Sequence, residues 1–166
     1  MTGQKVTMVS LDLSTKVSGF SVWQCYGYWK YQESFVIDIS DERDTNKRID
    51  KMCSELWSQL DRYSPTVVYA EDTYCHGNPD VQKKLNRIQG VVYAWCLIHH
   101  VEFHLLMPSA WRKYIPGFPQ GKGIKRNEQK EFSVKYFKDN YGKTPWSDDE
   151  SDAVCIGEAV IRMLSE

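Results

Sequence analysis

Cysteine is scarce in this chain and nowhere arranged in pairs. The five cysteines are an odd number, and no two form a CxxC pair. That excludes the disulfide framework of a small secreted protein and points to a reducing compartment. The four histidines and the cysteines match no closed Cys/His zinc module. No apolar run reaches the roughly 18 residues of a membrane span, so no membrane partner is expected. The opening Met1-Thr2-Gly3-Gln4-Lys5 leads straight into a strand-like stretch and does not read as a secretory leader, so a cytoplasmic protein is expected. There is no internal repeat and no low-complexity tract, which sets aside solenoids and fibrous chains. Charge of one sign is also lacking overall, with a net charge of -1.

What is present suits one compact domain over residues 1–166: 42% apolar residues, 26% charged, six Trp and ten Tyr. The charge is unevenly spread. Residues 73–146 hold twelve Lys and Arg against five Asp and Glu, whereas residues 147–166 hold one against six. A basic middle beside an acidic end places a positive surface next to a set of carboxylates.

The hydrophobic periods predict ten elements. Residues 5–13 form a strand apolar on both faces, with Val6, Met8 and Ser10 on one side and Val9, Leu11 and Leu13 on the other. Strands at 17–24 and 28–39 follow after short turns, which makes an antiparallel meander. Ile49, Met52, Cys53, Leu56, Trp57 and Leu60 mark a helix over 41–63, stopped by Ser64-Pro65. A strand at 66–70, a helix at 79–99, a strand at 101–107 and a short helix at 108–115 come next. The Gly- and Pro-rich basic loop 116–125 precedes helices at 127–141 and from Ser147 or Asp148 to about 164. The expected fold class is α/β, a five-stranded mixed sheet flanked by helices on both faces. Three strands are antiparallel, and the last two, reached by helical crossovers, run parallel to the first.

Acids at the ends of buried strands need a reason. Asp12 closes the first strand and Glu71 stands at the same place on the fourth. Sites in α/β sheets form beyond the carboxyl ends of neighbouring strands. A buried carboxylate pair is costly unless it shares a cation. In Trp146-Ser-Asp-Asp-Glu-Ser-Asp-Ala, Asp149 and Asp152 share one side of a helix at i, i+3, and Asp148 and Asp152 do so at i, i+4. Asp148 and Glu150 are also what a helix dipole favours in a first turn. Asp152, followed by apolar Ala153-Val154-Cys155, is not explained that way. Four carboxylates from separate places suit hard cations such as Mg²⁺ or Mn²⁺. Two such ions roughly 3.5–4 Å apart activate water and stabilise the leaving oxygen of a phosphodiester. The basic segment would then hold the phosphate backbone, with Lys122, Lys125 and Arg126 as phosphate contacts.

Val9-Ser10-Leu11-Asp12-Leu13-Ser14 with Gly19 in the next strand, Val67-Val68-Tyr69-Ala70-Glu71 with its following helix, and Asp149-Glu150-Ser151-Asp152-Ala153 together resemble the RuvC-type Holliday junction resolvases of the RNase H-like superfamily. The resemblance spans nearly the whole chain in element order and length. It implies a homodimeric, Mg²⁺-dependent endonuclease that nicks two strands of a four-way junction symmetrically. By position it implies Asp12, Glu71, Asp149 and Asp152 as ligands of two metal ions. Lys130 is implied as the lysine near the scissile phosphate, and Lys113 as a second one. Tyr74 falls where the family carries an aromatic that wedges against junction bases, a stack worth roughly 1–3 kcal/mol per base. The helix 79–99 is the expected dimer interface.

The many aromatics, the near-neutral charge and the 116–125 loop place the chain nearer the phage-type branch. They leave two alternatives: a broader nuclease for branched DNA such as forks and flaps, and a non-catalytic protein that binds branched DNA. Two other classes fit less well. An actin-like or sugar-kinase ATPase uses two such domains, and an exonuclease opening with Asp-x-Glu finds Asp12-Leu13-Ser14 here.

Overall fold

The computed structural model describes residues 5–72 and 78–166. The chain runs β1 (Val6–Asp12), β2 (Val17–Cys25), β3 (Trp29–Asp38), α1 (Thr45–Tyr63), β4 (Val67–Glu71), α2 (Pro79–Ile98), β5 (Glu102–Leu106), α3 (Pro108–Arg112), α4 (Arg126–Tyr141) and α5 (Asp148–Met163). The strands lie in the order β3-β2-β1-β4-β5. β1, β2 and β3 pair antiparallel; β4 pairs parallel to β1, and β5 parallel to β4. This is the mixed five-stranded sheet expected from the element order.

Helices cover both faces. Ile49, Met52, Leu56 and Leu60 of α1 join Ile88, Val92 and Trp95 of α2 against Val9, Leu11, Phe20 and Val68. Each such side chain contributes roughly 1.5–3 kcal/mol when fully buried. α1 begins at Thr45, four residues later than its periodicity suggested. The Asp44 side chain accepts from the Lys47 amide at 2.9 Å and so caps the helix there. α3, α4 and α5 pack on the opposite face.

α5 is the most deeply seated of these helices. Residues 153–157, Ala-Val-Cys-Ile-Gly, are all buried. Two glycines let it approach the sheet. A Cβ on Gly19 of β2 would overlap the Asp149 carbonyl, and one on Gly157 would meet Ser10 Oγ at 2.6 Å and crowd the Trp23 indole. The Ser10 and Ser21 hydroxyls, 2.5 Å apart, lie 2.8 and 3.1 Å from the Ala153 carbonyl, and Trp23 Nε1 donates to Ser21 at 2.8 Å. These buried polar atoms satisfy one another and fix the height of α5 on the sheet. Ser10 therefore has a structural partner.

Candidate active site

Strand alternation decides which side chains meet α5. On β1, Met8, Ser10 and Asp12 face it; on β4, Val67, Tyr69 and Glu71 do. The parallel register pairs Leu11 with Ala70, so Asp12 and Glu71 come side by side immediately beyond it. The first turns of α5 bring Asp148, Asp149 and Asp152 to the same place. All five carboxylates line one cleft of about 580 Å³, together with Asp72, Arg112, Arg126 and Lys130.

Burial and mutual repulsion mark the cluster. Asp12 is pushed well above the ordinary carboxylate range, first by burial and then by Asp152, Glu71, Asp149 and Asp148. Asp152 is raised to about 7, mainly by burial, with Glu71 adding to the shift and a hydrogen bond from Ser133 opposing it. Burial also raises Glu71, against the counteracting charge of Arg112 and a hydrogen bond from Trp111. Asp149 rises by burial and by the neighbouring Asp148.

Partners hold several of these groups. Trp111 Nε1 donates to Glu71 Oε2 at 2.7 Å, and the Arg112 guanidinium lies 3.8 Å from the same oxygen. Arg112 also donates to Gln129 Oε1 at 3.1 Å and lies over the rings of Trp111 and Phe118. Among the described residues its buried Nε has no hydrogen-bond partner. Lys130 forms an ion pair with Asp148, and Ser147 Oγ donates to Asp149 at 3.1 Å.

The donor set consists of carboxylate oxygens, the class hard divalent cations prefer. Repulsion among these acids is what such a cation would relieve, so the residues fit one. Among the described residues, no three His, Cys, Asp or Glu side chains form a ready-made cage; Glu71, Asp148 and Asp149 are engaged with partners of their own.

Three placements were not anticipated. Trp111 is fully buried with its N–H on Glu71. Arg112 stands in the cleft. Both lie on a helix of five residues, too short to show a period. Asp148 lines the cleft, the alternative its i, i+4 spacing to Asp152 had left open. Glu150 is buried at 3% exposure, accepting from Ser34 Oγ at 2.6 Å and from the Trp146 amide at 2.7 Å. It joins α5 to β3, which a helical wheel cannot reveal.

The basic residues divide. Arg126 and Lys130 line the cleft. Lys113 lies over the Tyr114 ring, and Lys122 and Lys125 are exposed on the approach to α4, all three outside the cleft lining. Tyr74 lies outside the described residues.

The family model for the crossover junction endodeoxyribonuclease RuvC matches residues 8–160. The chain belongs to the RuvC family. It is accordingly a crossover junction endodeoxyribonuclease, of a family whose nucleases depend on divalent metal. No curated protein matches it by sequence. Solved structures share the RuvC fold at low identity. T. thermophilus RuvC in complex with Holliday junction substrate is 14% identical at a TM-score of 0.73, over 96% of this chain and 95% of that one. The yeast mitochondrial Holliday junction resolvase Ydc2 is 15% identical at 0.60, over 95% and 78%. The Fowlpox virus resolvase, solved with Holliday junction DNA, is 16% identical at 0.59, over 97% and 100%. Among the described residues, no helix of this RuvC-family chain is long and apolar enough to cross a membrane.

Proposed function

We propose that this chain is one nuclease domain over residues 1–166 that acts as a homodimer and resolves four-way DNA junctions by paired, symmetric nicks. The observation that carries the reading is the convergence of Asp12, Glu71, Asp149 and Asp152 on one cleft beside Lys130, Arg112 and Arg126. Asp12, Glu71, Asp149 and Asp152 are the residues that would hold the metal ions. Two Mg²⁺ or Mn²⁺ ions held there would supply Lewis-acid activation of water and of the scissile phosphate.

The chain's own residues do the rest. The carboxylates would place the cations, and only through them the scissile phosphate. Arg126 and Lys130 hold the strand by its phosphates, and Lys130 steadies charge developing on the phosphoryl oxygens. Arg112 stands across from Glu71 as a further cation for the phosphate. Lys113, Lys122 and Lys125 extend the basic surface beyond the cleft along the backbone of branched DNA. Tyr74 is assigned the stack against junction bases by its position after Glu71.

The exposed face of α2 supports a dimer. Tyr93, Leu97 and Ile98 are solvent-exposed large apolar side chains on one helix, and Leu105 of the edge strand β5 adjoins them. A shallow cavity of about 340 Å³, lined by Gly90, Tyr93, Phe103 and Leu105, lies beside them. Apolar surface of this kind marks an interaction site. A two-fold pair of clefts matches the near two-fold symmetry of a four-way junction.

The test is cleavage of labelled four-way, three-way, flap and linear DNA with Mg²⁺, wild type beside Asp12→Asn. Paired symmetric nicks in the four-way junction, lost in the variant, are the expected result. Cutting of every branched form would make the protein a general branched-DNA nuclease. Tight junction binding without cutting under Mg²⁺ or Mn²⁺ would make it a non-catalytic binder.

A further inference from the structure

We propose that Asp148 is a positioning residue for Lys130, holding its ammonium at the mouth of the cleft, and not a ligand of the catalytic cations. The inference rests on the nuclease reading above and assigns a role within that same site.

A closed ring of contacts joins the two residues. Lys130 of α4 forms its ion pair with the Asp148 carboxylate of α5. The Asp148 carbonyl accepts from Ser151 Oγ at 2.9 Å. Ser151 Oγ lies 3.1 Å from Ser133 Oγ, and Ser133 Oγ stands 3.1 Å from the Lys130 carbonyl. Both serines are fully buried. These contacts bring the backbones that carry Lys130 and Asp148 together through two buried serines, and their charged ends meet at the open side. Those ends are about a third exposed, 34% for the lysine and 29% for the aspartate, so the pair faces the entering strand.

The chemistry favours this division of labour. A lysine ammonium is a point charge on a four-carbon stem with many rotamers, and a catalytic contact needs it in one of them. A carboxylate already paired with an ammonium is a poor donor to a second cation. Asp149 and Asp152, which lack such a pair among the described residues, are better disposed to serve as donors. A first-turn aspartate also suits the helix dipole, but that role would not require Lys130.

Single-turnover cleavage of a four-way junction with wild type, Asp148→Asn, Lys130→Ala and the double variant tests the inference, beside Mn²⁺ binding to each DNA-free protein and to Asp149→Asn. Asp148→Asn is expected to slow cleavage roughly 10–100-fold, as misplacing a catalytic group does. Junction affinity should stay within about twofold of wild type, and Mn²⁺ affinity should fall by clearly less than in Asp149→Asn, because Asp148 lends the site only its charge. In the Lys130→Ala background the second substitution should add nothing, because two residues acting through one contact are not additive. Asp148→Glu, which keeps the charge, should recover most of the rate. A loss of Mn²⁺ affinity in Asp148→Asn as large as in Asp149→Asn, additive losses in the double variant, or a wild-type rate in Asp148→Asn would each overturn the inference and leave the nuclease reading standing. A wild type that cuts no branched DNA would remove the nuclease reading, and this role with it.

Discussion

The backbone carbonyl of Asp149 occupies the space that a Cβ on Gly19 would need. A residue of β2 and a residue of α5 are thus in backbone contact, and the position of Asp149 and Asp152 relative to Asp12 is set by that contact. Asp12 itself is paired with Gly19 across the β1–β2 ladder.

Gly19→Ala should therefore act on both stability and site. Overpacking of a core contact costs about 1–3 kcal/mol, and a clash with backbone belongs at the upper end because a carbonyl has no rotamer to escape into. Denaturant unfolding should show the loss, and cleavage should fall further than the loss of folded protein accounts for. Wild-type stability in the variant would show that α5 sits farther from β2 than described.

Asp12→Asn should abolish cleavage while junction binding persists, because it removes a carboxylate and no phosphate contact. The rate should fall at least roughly 100-fold, the upper end of what loss of an outer metal partner does. The same substitution should raise the thermal midpoint of the metal-free protein near neutral pH, since it relieves repulsion from four neighbouring acids. Calorimetry in chelator checks the second effect independently of the first.

The pH dependence of stability follows with a definite sign. Asp12 and Glu71 are raised, and Asp152 is raised to about 7. The folded protein therefore holds protons that the unfolded chain releases near pH 4. Stability from these groups is complete below that pH and is lost as pH rises through about 7. The metal-free protein should melt several degrees lower at pH 8 than at pH 5.5, and Asp152→Asn should flatten the trend. A flat wild-type profile would mean that neither burial nor the neighbouring acids raise these carboxyls.

Leu97→Glu places a charge on the exposed apolar face of α2 and should shift the protein to monomer. Sedimentation at micromolar concentration checks this. If the dimer pairs the cuts, the variant should still nick junctions but yield unpaired nicks. An unchanged dimer would place the interface elsewhere.

Much of this was legible in the sequence because its signals were long. The stripe from Ile49 to Leu60 and the alternation along β1 extend over many residues, and Asp12, Glu71 and Asp152 stood out as acids on buried-looking segments. The start of α1 depended on one cap, Asp44, among several competing polar residues. Trp111 and Arg112 could not be placed, because five residues make no stripe and their partner Glu71 lies forty residues away. Glu150 looked like its acidic neighbours, and only the closeness of Ser34 on β3 sets it apart.

The hydrogen bond from Trp111 to Glu71 gives the cleft a built-in optical gauge. A fully buried indole whose N–H rests on a carboxylate emits according to the field at that carboxylate. Whatever positive charge enters beside Glu71 should change the emission of Trp111 before any strand is cut, and the change should vanish in Trp111→Phe. Occupancy of the site is thereby observable without a substrate, a label or a turnover.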